Sequence, residues 1–242
     1  MTPGARVAAA IEVLDAIAAG QAAEAALTRW ARSSRYAGSK DRAAVRDHVF
    51  DVLRHWHSDA ARGGGETGRA RMIGRLRGQG DDLDALFDGA GHAPRPLVPE
   101  ERAAGRAPST PSEIWDMPDW LIARFTDSLG DRAQDTAQAL TARAPVTLRV
   151  NTIRADRAMA QAMLADDGIE TVINPRADTA LTVMDGARRL RNSGAYTGGV
   201  VEIQDASSQA ATLGIKGQGT ALDYCAGGGG KALALAARGW QV

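Results

Sequence analysis

The chain has 242 residues, of which 44% are hydrophobic and 24% are charged, values typical of a globular rather than a disordered protein. Basic and acidic residues balance at 29 each, so the formal net charge is zero. No apolar run approaches the roughly 18–20 residues that span a bilayer, and the N-terminal segment lacks the pattern of a secretory signal. The single cysteine, Cys225, excludes an intrachain disulfide and a multi-cysteine metal cluster. We expect a cytoplasmic protein with no metal ion and no membrane partner.

The charges are distributed unevenly along the chain. The segment 29–77 contains twelve basic and five acidic residues, whereas the segment 81–101 contains six acidic residues and one basic residue. A basic segment of this kind is typical of a surface that faces a polyanion. A coding bias towards arginine is the alternative, because only three of the 29 basic residues are lysine.

Helical periodicity dominates the first part of the chain. Apolar residues recur every three or four positions and predict three helices, at 6–19, 22–33 and 41–57. Gly20 stands where the first helix would end, and Ser39 is a candidate N-cap for the third. His48, His55 and His57 lie in the third segment, but no carboxylate or cysteine completes a metal set with them. We therefore expect structural or surface roles for these histidines.

The middle of the chain is less regular. The segment 62–80 is rich in glycine and arginine, and the segment 89–111 contains five prolines, which predicts an extended connector. Helical periodicity returns after Ser112, with Pro118 suited to the first position of a helix. A further short helix is predicted over 131–143.

At Pro145 the period changes from helical to alternating. Residues 146–151 alternate apolar and polar side chains, as in a half-buried strand. Further strands are predicted at 169–173, 181–184 and 200–203. A helix over 157–167, closed by Gly168, separates the first two strands. A helical half followed by β-α-β alternation indicates two or three structural units.

The strongest local signal is the glycine-rich segment 220–236. It predicts a short apolar strand, a turn of four glycines and an Ala/Leu helix, with another strand beginning at Trp240. Strand, glycine-rich turn and helix form the arrangement that binds nucleotide-like ligands in open α/β sheets. Glycines let a ligand approach the backbone, and free N–H groups at the helix start attract anions.

The ligand of this turn has several alternatives. A Walker phosphate loop fails, because Cys225 and Ala232 stand where it needs a glycine and a hydroxyl residue. A dinucleotide fingerprint matches weakly through Gly227, Gly229 and Ala232, and its acidic residue would fall at or beyond Val242. A flexible turn without any ligand is the third alternative.

Four ordered motifs resemble one family of enzymes. Asp223–Lys231 resembles the first motif of the RNA cytosine-5 methyltransferases of the Sun/Nop type, usually written Asp-x-Cys-Ala-Ala-Pro-Gly-Gly-Lys. The other three are Val201–Gln209, similar to its Gln-Asp-x-Ser-Ser/Ala-Gln segment, Leu148–Thr152, similar to its Arg-x-Asn strand, and Pro118–Leu121, similar to its Pro-x-Trp-Leu. Tyr36–Arg42 resembles the NusB-like RNA-binding domain of the bacterial small-subunit (16S) ribosomal RNA methyltransferase B group.

The resemblance implies a fold of class α + α/β in three domains. A NusB-like helical RNA-binding domain would occupy residues 1–140, and a small α/β domain residues 141–195. The start of a Rossmann-like methyltransferase domain that depends on S-adenosylmethionine would occupy residues 196–242. We therefore expect the chain to be a C-terminally truncated part of a longer enzyme.

The resemblance also implies methyl transfer from S-adenosylmethionine to carbon 5 of a cytosine in ribosomal RNA. In this family a cysteine thiolate adds to carbon 6 of the base, and a second cysteine assists release. Cys225 matches the cofactor-loop cysteine instead of the nucleophile. No catalytic residue is therefore predicted within the chain, and the nucleophile is expected beyond Val242.

The predicted cofactor-binding residues are Cys225, Ala226, Gly227, Gly228, Gly229, Gly230 and Lys231. Asp223 would order this loop, and Asp205 would cap the helix entered at Ala206. The family's Ala-Pro pair is Gly227-Gly228 here, and we expect the loss of proline to loosen the turn. The predicted RNA contacts, taken from charge and resemblance together, are Arg29, Arg32, Arg35, Lys40, Arg42 and Arg46.

Two other interpretations stay open. A non-catalytic RNA-binding protein, or a degenerate fragment of such an enzyme, is favoured by the missing catalytic cysteines, whereas the first motif favours the enzyme. A dinucleotide oxidoreductase would explain the glycine turn but not the helical half.

Overall fold

Residues 1–242 are all described by the computed structural model, and they form two compact units, Met1–Arg143 and Ala144–Val242. The first unit is helical. Its helices α1 to α10 are Pro3–Ala18, Ala23–Ser33, Ser39–Arg54, Trp56–Gly63, Gly68–Gln79, Leu83–Leu86, Pro99–Ala103, Pro111–Trp115, Asp119–Leu129 and Ala133–Thr141, with a 3₁₀ turn at Gly130–Arg132. None of the helices has both the length and the apolar character that a membrane crossing requires.

Helices α1, α2, α3 and α5 supply the core of the first unit. The apolar stripes predicted for the first three helices face this core, and α5 adds a fourth stripe. Its buried members include Val7, Leu14, Leu27, Trp30, Val45, Val49, Val52, Met72, Ile73 and Leu76. Each such side chain stabilises the fold by roughly 1.5–3 kcal/mol relative to an exposed one, so this cluster is the main support of the unit.

Most of the segment 62–80 is helical, although its composition does not predict a helix. Thr67 caps α5, since its Oγ1 accepts the N–H of Ala70 at 3.1 Å. Glycine is needed here for packing: a Cβ on Gly74 would lie 1.9 Å from the carbonyl oxygen of Asp59 in α4. Helices α4 and α5 therefore approach to backbone contact, and the glycines reflect this contact.

The predicted helix over 41–57 is divided into α3 and α4 at His55. The N–H groups of His57 and Ser58 donate to Oδ1 of Asp116 at 3.0 and 2.8 Å. A carboxylate from a distant part of the chain thus caps the start of α4. Periodicity cannot reveal this break, because the residue that stabilises it lies outside the periodic segment.

Three other predicted boundaries need correction. Gly38, and not Ser39, is the N-cap of α3, because the carboxylate of Asp41 accepts the Gly38 N–H at 3.3 Å. Pro118 is the N-cap of α9 instead of its first residue. The proline-rich connector 89–111 contains the short helix α7.

The second unit is built on a four-stranded sheet. Its elements are β1 Thr147–Val150, α11 Arg157–Asp166, β2 Glu170–Ile173, β3 Ala180–Asp185, a 3₁₀ helix Ala187–Asn192, α12 Gly194–Thr197, β4 Val201–Ile203, α13 Ala206–Leu213 and α14 Gly230–Ala236. The strand order is β2-β3-β1-β4, and each neighbouring pair is antiparallel. Leu148 at the centre pairs with Leu181 of β3 and Ile203 of β4, which fixes the register.

The predicted β-α-β order is present in a split form. β1 and β2 are both antiparallel to β3, which lies between them, so β1 and β2 run parallel with α11 as their connection. Asp156 caps α11 by accepting the Met159 N–H at 2.8 Å, and Gly168 follows its end with φ +70°. β4 lies beyond the predicted domain boundary at residue 195 and still joins this sheet. The division into three domains and the NusB-like and Rossmann-like assignments stay predictions.

The predicted strand before the glycine turn is wrong in extent. Thr220 forms a single parallel bridge with Gln241, in which the N–H of Ala221 donates to Gln241 and the N–H of Gln241 donates to Gly219, both at 2.8 Å. The predicted helix is present as α14. The order of strand, turn, helix and strand is therefore kept, but the pairing is limited to one bridge.

Candidate functional site

The predicted cofactor loop, residues 225–231, is an exposed turn that leads into α14. Gly227 and Gly229 have φ values of +59° and +77°, which glycine adopts without strain. Cys225 is exposed and has φ +62°, a value that is uncommon for a residue with a side chain. No part of the protein beyond the chain neighbours lies within 4 Å of a Cβ placed on Gly227, Gly228 or Gly229. A ligand can therefore approach the backbone closely.

Asp223 does not order the loop as predicted. Its carboxylate makes no hydrogen bond, and its Oδ2 is buried without a partner. The turn is held instead by the backbone, where the N–H of Gly229 donates to Ala226 at 3.0 Å. Burying an acceptor without a donor costs free energy. Binding of a ligand that donates a hydrogen bond to Oδ2 would therefore be favoured.

The residues of the loop fit S-adenosylmethionine. This cofactor has amino and hydroxyl donors that suit the free oxygen of Asp223, and it has a carboxylate. Lys231 is exposed and its ammonium makes no ion pair, so positive charge is available beside the open turn. The loop can thus meet both the donor groups and the negative charge of one small ligand.

Two of the quoted motifs meet in a buried hydrogen-bond network. The Nε of Arg149 in β1 donates to Oε1 of Gln204 at 2.8 Å, and its guanidinium forms an ion pair with Glu202. Gln209 in α13 donates through Nε2 to the carbonyl oxygen of Gln204 at 3.0 Å. Gln204 also lies 3.5 Å from a Cβ placed on Gly230, the first residue of α14. Gln204 of this network therefore packs against Gly230, where the loop leads into α14.

Sequence reasoning missed the roles of Arg149, Gln204 and Gln209, all of which are more than nine-tenths buried. The sequence feature that could have revealed them is the presence of long polar side chains within or next to predicted strands. Such groups are buried where hydrogen bonds satisfy them. The predicted cap is confirmed: Oδ1 of Asp205 accepts the N–H of Ser207 at 2.8 Å.

The predicted RNA contacts lie on α2, on α3 and in the turn between them. Four have exposed side chains with no ion pair or hydrogen bond: Arg29, Arg32, Arg35 and Lys40. The other two are engaged within the protein. The Nε of Arg42 donates to the carbonyl of Ala37 at 2.9 Å, and Arg46 forms an ion pair with Glu24 at 2.5 Å. Free positive charge is therefore concentrated on the first four.

The arginines of α5 support the fold instead of facing solvent. Arg71 is 5% exposed, its guanidinium carbon lies 3.8 Å from the centroid of the Trp56 ring, and its Nε donates to the Trp56 carbonyl at 3.1 Å. Arg69 pairs with Glu101 at 2.7 Å and lowers the pKa of Glu101 to about 2. Arg77 donates to three backbone carbonyls. This part of the basic segment has internal partners.

Several titratable groups of the first unit are buried or partly buried. Asp59 is fully buried, with Arg62 Nη1 at 3.5 Å and Arg75 Nη1 at 3.9 Å from its carboxylate oxygens. Burial raises the pKa of Asp59 to about 7, and burial lowers the pKa values of His48 and His55. The structure contains no group of three or more His, Cys, Asp and Glu residues that could hold a metal ion.

Comparisons with known proteins connect these elements to one family. Residues 117–188 match the model of the ferredoxin-like domain of RsmF/B-like methyltransferases. The chain is 34% identical over 122 residues to the probable ribosomal RNA small subunit methyltransferase B of Bacillus subtilis, and 31% identical over 134 residues to the ribosomal RNA small subunit methyltransferase B of Vibrio cholerae. Over these segments the chain is similar to RsmF/B-like methyltransferases. The family predicted from the motifs is thereby confirmed.

The match to the two RsmB-type relatives is partial. It covers 49% and 54% of the chain, and 27% and 31% of the relatives' lengths. The chain is also similar in fold to the crystal structure of PH0851, with a TM-score of 0.59, 18% identity, and coverage of 98% of this chain and 61% of that one. The split β-α-β arrangement of the second unit is the one expected of a ferredoxin-like sheet.

Proposed function

We propose that the chain supplies the RNA-recruiting and cofactor-binding parts of an S-adenosylmethionine-dependent methyltransferase that modifies carbon 5 of cytosine in small-subunit ribosomal RNA. The observation that carries the proposal is the open loop 225–231 beside the unpaired Oδ2 of Asp223. Similarity to two ribosomal RNA methyltransferases supports the class of substrate. The cytoplasmic location predicted from the sequence fits that substrate.

The residues of the loop divide the work of holding the cofactor. S-adenosylmethionine supplies the methyl group when it is bound. Gly227 and Gly229 let its methionine and ribose portion approach the backbone, because neither presents a side chain. Lys231 offers a positive charge to its carboxylate, and Asp223 accepts a hydrogen bond from one of its donors. Cys225 is a loop residue in this proposal and not the nucleophile.

Calorimetric titration of S-adenosylmethionine into the 242-residue chain tests the cofactor site. We expect Lys231→Ala to weaken binding about tenfold, the loss of one charge-assisted hydrogen bond. Lys216→Ala is the matched control, since Lys216 is also exposed and lies outside the loop. Gly229→Val should abolish binding, because a β-branched residue does not adopt φ near +77°.

A competition with NAD separates this proposal from a dinucleotide oxidoreductase. Displacement of S-adenosylmethionine by its demethylated product, but not by NAD, is the expected result. Preference for NAD, or equal loss of affinity in the Lys216 and Lys231 variants, would contradict the assignment of the loop.

A non-catalytic RNA-binding protein is the second candidate. The free charges of Arg29, Arg32, Arg35 and Lys40 favour it, because they need no cofactor to bind phosphates. RNA binding that falls steeply with salt, in a chain that does not bind S-adenosylmethionine, would support this candidate over the enzyme. RNA binding that does not depend on salt would contradict the RNA surface in both candidate functions.

A further inference from the structure

A cavity of about 590 Å³ opens beside α1 in the first unit, and Trp30, Tyr36 and His92 are its aromatic lining residues. The rings of Tyr36 and His92 lie with centroids 6.5 Å apart and planes within 15° of parallel. Tyr36 is 72% exposed, and neither side chain makes a hydrogen bond. The fold therefore does not use the polar atoms of these two rings.

The backbone holds Tyr36 at the tip of a tight turn between α2 and α3. The N–H of Ala37 donates to the carbonyl of Ser34 at 3.0 Å, and Ala37 itself is buried. Arg42 closes the base of the turn through its 2.9 Å hydrogen bond to the Ala37 carbonyl. The turn is thus fixed from inside, while the side chains of Arg35 and Tyr36 are left in solvent.

A second turn brings His92 to the same place. The N–H of Ala93 donates to the carbonyl of Ala90 at 2.9 Å, and Gly91 has φ +57°. This turn lies directly on α1, because a Cβ on Gly4 would come within 2.7 Å of the Ala93 side chain. The two rings are therefore brought together by two hydrogen-bonded turns, the second of which packs on α1.

The walls of the cavity suit a planar base. The apolar lining residues are Ala5, Ala8, Ala9 and Trp30, and the volume is within the range of small-molecule sites. Glu12 supplies the one carboxylate of the lining, and this side chain makes no ion pair. A carboxylate accepts hydrogen bonds only, so it selects ligands that carry a donor such as an exocyclic amino group.

Free cations adjoin the aromatic turn. Arg35 precedes Tyr36, and Arg32 and Lys40 lie four residues before and after it; all three are exposed and unpaired. Aromatic rings next to unpaired cations are the combination by which proteins bind single-stranded nucleic acid, because bases stack on the rings while the cations meet phosphates.

We propose that Tyr36 and His92 form a stacking site for an unpaired RNA base that carries an exocyclic amino group. The amino group is directed towards Glu12, and the adjoining phosphates meet the free cations of α2 and the turn. The site rests on the RNA binding proposed above and adds to it the class of RNA: single-stranded, with adenine, cytosine or guanine at one position.

Fluorescence anisotropy with labelled RNA tests the site in the full chain. The probes are an eight-nucleotide oligoadenylate, an oligouridylate of the same length, and a duplex of eight base pairs. We expect Tyr36→Ala to weaken oligoadenylate binding about tenfold, as for the loss of one stacked base, and to change duplex binding less than about twofold. Tyr36→Phe, which keeps the ring, should retain the wild-type affinity. Glu12→Ala should remove the preference of the wild type for oligoadenylate over oligouridylate.

An NMR titration with adenosine 5′-monophosphate gives an independent measurement. We expect shifts of the His92 ring protons, identified by their loss in His92→Ala, and no such shifts in Tyr36→Ala. If Tyr36→Ala weakens the binding of single-stranded and duplex RNA equally, or weakens neither, the stacking site is overturned and the proposed RNA surface stays intact. Shifts at His92 without RNA binding by the wild type would overturn the RNA surface and, with it, the assignment of the stacked base to RNA. Absence of both would overturn both.

Discussion

Arg71 in α5 and Arg35 in the turn before α3 have the same side chain in opposite environments. Arg71 is nearly buried, stacked on Trp56 and hydrogen-bonded to its carbonyl, whereas Arg35 is exposed and has no partner. Both belong to the basic segment 29–77, which the sequence presents as one continuous feature. The comparison shows that the net charge of a sequence segment differs from the charge that the segment exposes to solvent.

The acidic segment 81–101 explains part of this difference. Glu101 binds Arg69 and Arg95, and Asp84 binds Arg102. Part of the positive charge of α5 is thus neutralised within the protein by Glu101, and the other two pairs lie within the chain that follows α5. The basic segment keeps unpaired positive charge for an external partner in α2, in the turn that follows it and at the start of α3, at Arg29, Arg32, Arg35 and Lys40.

The largest effect is expected for Arg71→Ala. Loss of a desolvated cation–π contact and a buried hydrogen bond, with the cavity that remains, should lower the free energy of unfolding by about 3 kcal/mol. Arg35→Ala is the matched control and should change it by less than about 0.5 kcal/mol. Urea denaturation measures both. Similar values for the two variants would remove the distinction between the two groups of arginines.

The next effect concerns Asp59, the buried carboxylate near Arg62 and Arg75. Its pKa is raised by burial to about 7, so the folded state binds a proton that the unfolded state has lost. The contribution of Asp59 to the free energy of unfolding should therefore fall as the pH rises, by about 2 kcal/mol between pH 5 and pH 7, whereas the lowered pKa values of His48 and His55 act in the opposite direction. Asp59→Asn should remove this slope, and the exposed carboxylate variant Asp135→Asn should retain it. The same dependence of stability on pH in the wild type and in Asp59→Asn would contradict the prediction.

A smaller effect is expected on RNA binding when the exposed arginines of the basic segment are replaced. Arg32→Ala and Arg35→Ala should each reduce the slope of log affinity against log salt by about 0.7 for single-stranded RNA, because each removes one phosphate contact. Arg77→Lys is the control from α5. If it lowers the salt slope as much as Arg35→Ala, the two groups of arginines are equally available to RNA.

The smallest effect is expected for Arg46→Ala. Its ion pair with Glu24 is exposed on both sides, so its loss should cost no more than about 1 kcal/mol, and less at high salt. Thermal unfolding at low and high ionic strength checks this. A cost close to that of Arg71→Ala would show that an exposed pair can equal a buried one here.

Sequence patterns predicted elements well where a residue's role depends on its near neighbours. The stripes of α1, α2 and α3, the strands β1 to β4 and the cap at Asp205 follow from spacing or from a local hydrogen bond. The break at His55 was missed, because the carboxylate of Asp116 that fixes it is distant in sequence. α5 was missed because its glycines serve contact between helices.

The candidate site divides in the same way. The glycine motif at 225–231 and the family could be predicted, since they are properties of consecutive residues. The free oxygen of Asp223 could not, because it depends on which donors fold near it. The buried contacts among Arg149, Gln204 and Gln209 could not either, because they join β1, the end of β4 and α13.

The sequence by itself determined the helical first half, the alternating strands, the glycine turn and the resemblance to a methyltransferase family. Each of these depends on residue types at short spacing, because the backbone geometry of helices, strands and turns decides which near neighbours share a face. Only the tertiary structure decided the strand order, the split of the arginines into internal and free groups, and the meeting of Tyr36 with His92. These depend on burial and on contacts between distant segments, and a side chain's desolvation and partners exist only once the chain has folded.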